Sequence, residues 1–538
     1  MSLFRIISTV EELVAASKEK TARYLILRND LKDVPAIKMM PYQSLVGEFD
    51  GRTIEFMPGV DGFCLTKGNE LKNLRITADP DRCAIYQDSE VENMNTHHLS
   101  RLRVQGLISF IIRGNVKKGR IDASFVHIDY ATTMQMEERP NRYEVDMLQG
   151  VFTVWNQQED LEDEIEADIT HFSCGSETKP VAGSGLLLCG KGDKSGRIKS
   201  TVISCGHIYT KGAIAQGIST LVAAGVSIGY QVLVKNLNNY GRITCYGANE
   251  MGIYNWGTVE RWSITDRIET HGPNGCGIIN AGNIGKMTFT HEIETFGVGA
   301  RGFYMFDGVA KDIHFERIVT RGDAACAIQF TNYIDRISVS GGIEVYGNAL
   351  NVKFADTVMK ASADGINVKP GGTIRVLKIT GDVIVHGNEA NAIHNEGGIE
   401  QLLVSGKVLA TGEVSKAMSI LNGYLAADSV TFESEKWTAI RLENAKINNC
   451  HNLVAKGKDF DILIDILSSV NRNVFSPEFL EGIFQKDVRL EYIDNVEHPK
   501  AKPEPNLQTK HVVEDITPKD NGAQPMSCKP PKKEEPEA

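Results

Sequence analysis

The residues best placed to do chemistry are two glutamates 25 positions apart, Glu269 and Glu294, in the similar strings RIET (267–270) and EIET (292–295). If these strings are strands in successive turns of a coil, their backbones lie ~4.8 Å apart. Their carboxyl groups can then approach the ~5 to 5.5 Å separation used in retaining glycoside hydrolysis. Like charges so close raise one pKa, as a general acid requires. Alternation along the strand sends Arg267, Glu269 and His271 outward while Ile268 and Thr270 face in. The same rule lines up His271, Phe296, Arg321, Tyr346 and His386 as one outward column with Glu344 beside it, a set of flat and hydrogen-bonding groups on which a sugar chain can stack. A corner column of Asp266, His291 and Glu316 offers an acid, a base and an acid as a second catalytic candidate. A third outward column, Tyr254, Ile279, Tyr304, Gln329, Lys369 and His394, reads as a binding groove.

Each set also has a purely architectural reading. Arg267, Glu292 and Arg317 alternate in sign down one column, as a solvated sheet face does to avoid repulsion. Polar residues at turns bond to the backbone, which would absorb Asp266, His291 and Glu316. Asn255 and Asn280 stack at another turn, where an amide ladder satisfies backbone groups. His314 falls in line with Ile264 and Phe289 and so reads as a core histidine.

The positions of these residues follow from a repeat. GIYNWG (252–257) and WSITDRIETHG (262–272) return as GIINAG (277–282) and MTFTHEIETFG (287–297), and further copies begin at Gly302 and Ala327. Glycine recurs at 247, 272, 297, 322 and 347. The next interval, to Gly387, is 25 plus an insertion of about 15 residues around 349–363, and the step of 25 resumes at Gly412. Short alternating runs rich in β-branched residues, separated by glycine, asparagine or aspartate, read as strands with turns between them. Two apolar columns run through the copies: Ile264, Phe289, His314, Val339, Ile379, Val404 and Ile268, Ile293, Ile318, Ile343, Val383, Val408. A helical repeat would need a period of ~3.6, which is absent. The predicted fold is therefore all-β: a single-stranded, right-handed parallel β-helix, capped at its ends by short helices.

Composition agrees with one long domain. Glycine is high at 50 of 538 residues and proline low at 17. The net charge of −11 argues against nucleic acid as a partner, and no run of ~18 apolar residues supports membrane insertion. Ten scattered cysteines include no CxxC pair, which argues against a zinc site or a thioredoxin-type motif; no cofactor is expected and no metal ligands are assigned. With no leader motif in Met1-Ser2-Leu3-Phe4-Arg5, the expected compartment is the cytoplasm.

Thr9 and Glu12 form a capping box ahead of Val10, Leu13 and Val14, so 1–24 reads as a capping helix and lead-in. The β-helix spans 25–470, with an irregular acidic insertion at about 131–183. Ser476-Pro477-Glu478 starts a helix in a C-terminal cap at 471–498. The Lys, Pro and Glu composition of 499–538 makes a disordered tail.

From roughly 25 to 470 the chain resembles the pectin-lyase-like superfamily of right-handed parallel β-helices, its opening coils represented by Leu25-Ile26-Leu27, Ile54-Glu55-Phe56 and Leu74-Arg75-Ile76. That resemblance implies carbohydrate by analogy of fold. Catalytic strings of the group match only in part: Arg197-Ile198-Lys199 precedes Gly206-His207-Ile208, the reverse of the polygalacturonase-like order. Asp79-Pro80-Asp81-Arg82 only approximates the DPHD string of alginate epimerase-like members. The acidic run 159–164 can collect Ca2+ or form a solvated loop.

Two functions fit these residues. One is a polysaccharide- or oligosaccharide-active enzyme, a glycoside hydrolase or lyase, with Glu269 and Glu294 as the acid/base pair. The other is a non-catalytic, adhesin-like scaffold whose flat faces bind a glycan or another protein, a homo-oligomer included.

Overall fold

A strand 13 residues long, Asn283–Thr295, holds both the core and the surface of the molecule: Ile284, Met287, Phe289 and Ile293 are fully buried while Lys286, Thr290 and His291 face out. Its neighbours on either side repeat the pattern, and every pairing between successive coils is parallel. The computed structural model describes residues 3–470 except positions 50, 216, 355–356, 448 and 466. The proposed C-terminal cap at 471–498 and tail at 499–538 lie outside the described residues.

The chain is an all-β parallel β-helix. In the repeating region each coil supplies three strand segments. The first face runs through Glu250–Asn255, Cys276–Asn280, Arg301–Met305, Cys326–Phe330 and Ile366–Val368. The second holds Thr258–Ile264, the front of Asn283–Thr295 and of Val309–Thr320, Tyr333–Val339 and Thr373–Ile379. The third holds Ile268–Thr270, the back of those two long strands, Ile343–Val345 and Val383–Val385. At the start, helix Val10–Ala16 has Thr9 as N-cap with the reciprocal Glu12 bonds in place, and Leu13 and Ala16 are buried against the first coil.

The inner column Ile268, Ile293, Ile318, Ile343, Val383, Val408 pairs coil to coil as predicted, each member at most 2% exposed. The other inner column needs one correction. Phe289 pairs with Phe315, not His314, and Phe315 then pairs with Val339. The corner at 306–308 carries one extra residue, with Gly308 at φ +77°. The surplus is removed a few residues later, where Glu316 alone stands opposite Thr290 and His291. His314 is thereby turned outward, its ring nitrogens 3.0 and 3.1 Å from the hydroxyls of Ser338 and Ser340. Burying a phenylalanine there in its place is worth ~1.5 to 3 kcal/mol.

The glycine column from 272 to 412 sits where one coil's backbone rests on the next. A methyl group at Gly272, Gly297, Gly322, Gly347, Gly387 or Gly412 would overlap the carbonyl oxygen of the glycine one coil earlier. Glycine is required here for close approach, since none of these residues has a left-handed φ. Elsewhere the turns are held by amides: Asn255 donates to Asn280 Oδ1 at 2.7 Å and Asn280 to the Gly282 carbonyl at 2.9 Å.

Within 131–183, Gly150–Asn156 and Glu164–Cys174 are regular strands of the coil stack. The departure from the helix is a small hairpin, Asn141–Arg142 with Val145–Met147, which adds to the edge of Leu221–Ile228. Residues of 349–363 form a second antiparallel hairpin, Leu350–Phe354 with Thr357–Ala361. Eight of the nine described cysteines are buried, and no helix among the described residues is long and apolar enough to cross a membrane.

The close-approach reading predicts that Gly297→Ala costs about 1 to 3 kcal/mol. Gly192, whose surroundings are open within 4 Å, should accept alanine within about 0.5 kcal/mol. Thermal unfolding of the two variants beside wild type checks both values.

Candidate functional site

The third face carries the predicted site, and its register brings Glu269 directly beside Glu294. Glu344 lies two coils further along the same column, beyond the buried Val319. Ile268, Thr270, Ile293 and Thr295 point inward, so alternation leaves the glutamates facing out. Glu294 is nonetheless nearly covered, its side chain 8% exposed, and that of Glu269 is 12% exposed.

Arginines cover them. Arg267 reaches Glu269 at 3.1 Å, Glu292 at 3.4 Å and Glu294 at 3.5 Å. Arg321 donates through Nε to Glu294 at 2.6 Å. Arg317 bridges Glu292 at 3.4 Å and Glu344 at 2.5 Å, and His386 approaches Glu344 at 3.2 Å. The pair therefore belongs to an alternating lattice of carboxylates and guanidiniums. Burial works against the Glu344 carboxylate, but hydrogen bonds from Tyr346, His386 and Arg317 outweigh it and hold the group below its ordinary value. At Arg321 the hydrogen bond to Glu294 leads the causes that raise its pKa; at Arg267 burial opposes, and bonding to Glu269 with the nearby carboxylates prevails.

The outward column forms a continuous stack. His271 lies between Tyr246 at 5.2 Å and Phe296 at 4.7 Å, the latter pair within 3° of parallel. Arg321 sits over Phe296 and Tyr346, 5.9 and 4.9 Å from the ring centres, and Tyr346 stacks on His386 at 4.7 Å. These planes stack along the helix axis, so ring faces are taken up by neighbouring coils. The surface offered to a ligand consists of ring edges and polar atoms.

The corner residues do not converge. Asp266 accepts the backbone N–H of Arg267 at 2.7 Å, and Glu316 accepts from Ser340 Oγ at 3.0 Å. His291 projects from the corner as an exposed ring. In the third column, Gln329 pairs with Asn367, so Lys369 is displaced to the neighbouring column, where it meets Glu396 at 3.5 Å. Tyr254 and Ile279 are buried in a cluster with Met147 of the 141–147 hairpin, with Tyr143 and Val145 packed against it. That end of the first face is covered.

The other strings resolve into ion pairs and turns. Glu159, Glu162 and Glu164 of the acidic run pair with Lys191, Arg197 and Lys199, at 2.7, 3.3 and 2.8 Å. Asp79 holds a turn by accepting the Gly59 N–H at 2.6 Å. No group of three or more histidine, cysteine, aspartate or glutamate side chains among the described residues is arranged to hold a metal ion.

One feature was not legible in the sequence. Upstream on the same third face, the 175–179 loop walls a shallow pocket of about 480 Å3, lined by His127, Ser173, Glu177, Thr178, His207 and Tyr209. Tyr209 shares its column with Glu269, two coils away. Only His207 had a signal, in the partial string Gly206-His207-Ile208. The strands bearing His127 and Ser173 pair at a separation of 46 residues, outside the 25-residue step. No family model, no curated protein and no solved structure matches the chain.

A carboxylate held below its ordinary value adds stability that is complete above its unfolded pKa of 4.5 and is lost as pH falls through the folded value. Glu344→Gln should therefore lose less stability than wild type when denaturant unfolding is compared at about pH 7 and about pH 3.

Proposed function

We propose that the protein is a glycan-binding β-helix that holds an extended saccharide along its third face, with Glu269 and Glu294 acting as hydrogen-bonding groups. The supporting observation is the strip of ion-paired carboxylates, guanidiniums and ring edges from Glu269 to His386, which runs on toward the pocket beside Tyr209. Carboxylates and guanidiniums fixed in plane make paired hydrogen bonds to neighbouring hydroxyls. Stacking of sugar on aromatic faces plays no part, because those faces already meet one another. Both glutamates contact Arg267, so their oxygens are already engaged by a fixed hydrogen-bond donor, which favours a binding role. Membership of the pectin-lyase-like superfamily is part of this proposal and rests on the coil length and stacked columns.

A panel of immobilised polysaccharides and oligosaccharides tests the reading. Wild type should be retained by at least one of them, and Arg321→Ala and Glu294→Gln should each weaken retention about tenfold, equivalent to ~1.4 kcal/mol. Equal retention of both variants would remove the third face from the binding site. Release of reducing ends or unsaturated products by wild type, abolished in Glu269→Gln, would replace this reading with a hydrolase or lyase using the glutamate pair.

A further inference from the structure

The pocket at the upstream end of the third face contains a line of polar groups that the saccharide strip does not use. Strands Asn93–Gln105, Lys118–Tyr130 and Glu164–Cys174 pair so that Arg103, His127 and Ser173 stand side by side, all pointing outward. His127 Nδ1 lies 2.8 Å from Ser173 Oγ, and His127 Nε2 lies 3.3 Å from Asp129 Oδ1. Arg103 Nε in turn donates to both oxygens of Asp129, at 2.7 and 2.8 Å. With the carboxylate on the Nε2 side, the tautomer that carries its proton on Nε2 leaves Nδ1 as an acceptor for the serine hydroxyl.

On the next coil, beside Ser173, His207 Nδ1 accepts the backbone N–H of Arg242 at 3.1 Å. That bond places the His207 proton on Nε2, whose N–H has no acceptor among the described residues. The pocket thus holds a nucleophile, a base with a carboxylate beside it, and a hydrogen-bond donor on the coil next to the serine. These are the groups an acyl transfer requires.

We propose that Ser173, His127 and His207 form a hydrolytic site for carboxylic esters with a small acyl group, and that Asp129 is its positioning residue. Ser173 Oγ attacks the ester carbonyl carbon while its proton passes to His127 Nδ1. His207 Nε2–H donates to the oxyanion of the tetrahedral intermediate. The C–O bond to the alcohol breaks, and the departing alkoxide takes the proton from His127, leaving an acyl-serine. Water, deprotonated by His127, then attacks the acyl carbon. The acid leaves and Ser173 recovers its proton.

The state of His127 suits this role. Burial leads in holding its pKa below the ordinary imidazole value; Asp129 pulls the other way and Arg103 adds to the lowering. The charged and titratable groups facing it across the pocket are Glu177, His207 and Tyr209. At neutral pH the ring is thus unprotonated and able to accept the serine proton. The site stands apart from the saccharide reading: it needs no residue between Glu269 and His386.

The full chain with p-nitrophenyl acetate, and separately with a fluorophosphonate probe followed by peptide mapping, tests the proposal. Wild type should hydrolyse the ester above the spontaneous rate and carry the probe on Ser173. Ser173→Ala and His127→Ala should lower kcat/KM by about a hundredfold or more. His207→Phe should lower kcat with little change in KM, as expected for a group acting in the transition state. Asp129→Asn should shift the acid limb of the pH–rate profile, which a merely architectural aspartate would leave in place. Thermal unfolding of each variant separates loss of activity from loss of fold. Absence of turnover and of a Ser173 adduct in wild type would overturn the proposal, and so would a Ser173→Ala variant that unfolds like wild type and keeps its rate.

Discussion

Hydrogen bonding between successive coils sets everything else in this protein. A strand here pairs with the strand one coil before and one coil after it, so each residue inherits its depth and direction from its equivalents above and below. That fixes the lumen, where isoleucine, valine and phenylalanine stack on their own kind. It also fixes the corners, where stacked backbones come so close that a methyl group has no room. The spacing of ~4.8 Å between coils is shorter than most side chains are long, so outward residues interact along the axis whether or not they have a common task.

On the third face the same spacing governs charge. Carboxylates in register repel unless cations stand between them, and the chain supplies Arg267, Arg317 and Arg321 among Glu269, Glu292, Glu294 and Glu344. It also makes a ring ladder out of His271, Phe296, Tyr346 and His386. A surface built this way is ordered before any ligand arrives, so little side-chain freedom is left to lose on binding. The cost is that flat groups have already used their faces. Chemistry must come from edges, from polar atoms, or from places where the ladder gives way to a pocket, as it does between His127 and Tyr209.

Much of the architecture was readable because the chain repeats itself at a constant step. Glycine positions and two apolar columns were enough to pair Glu269 with Glu294 and to place His271, Phe296, Arg321, Tyr346 and His386 in line. What failed did so where the step changes. Equal spacing puts His314 in the core, but its coil has an extra corner residue. Equal spacing also puts Lys369 beside Gln329, where Asn367 stands, because the 349–363 hairpin hides how many of its residues belong to the coil. Ser173 and His127 left no trace at all, since their strands are separated by an irregular 46 residues. The number of positions between two side chains does not reveal which of them share a coil face. The arginine pairing of the glutamates was visible in the alternation of Arg267, Glu292 and Arg317, and the structure extends it to Arg321.

The compensated slip around His314 bears on how the chain tolerates changes in length. One residue is added at 306–308 and one is lost opposite Thr290 and His291, so the phase error lasts only from Val309 to Phe315. Between those points a strand is slipped by one, yet the side chains were chosen for the slipped phase, with Phe315 inward and His314 outward. The arrangement works like a frameshift and its suppressor. Either change alone would turn every downstream residue of the coil inside out, carrying Ile318 to the surface and Arg317 to the lumen. Together they are silent beyond seven residues. A chain of this kind can therefore absorb changes in length in matched pairs at its corners, or in whole coils. An unmatched single residue within a face has no such cancellation.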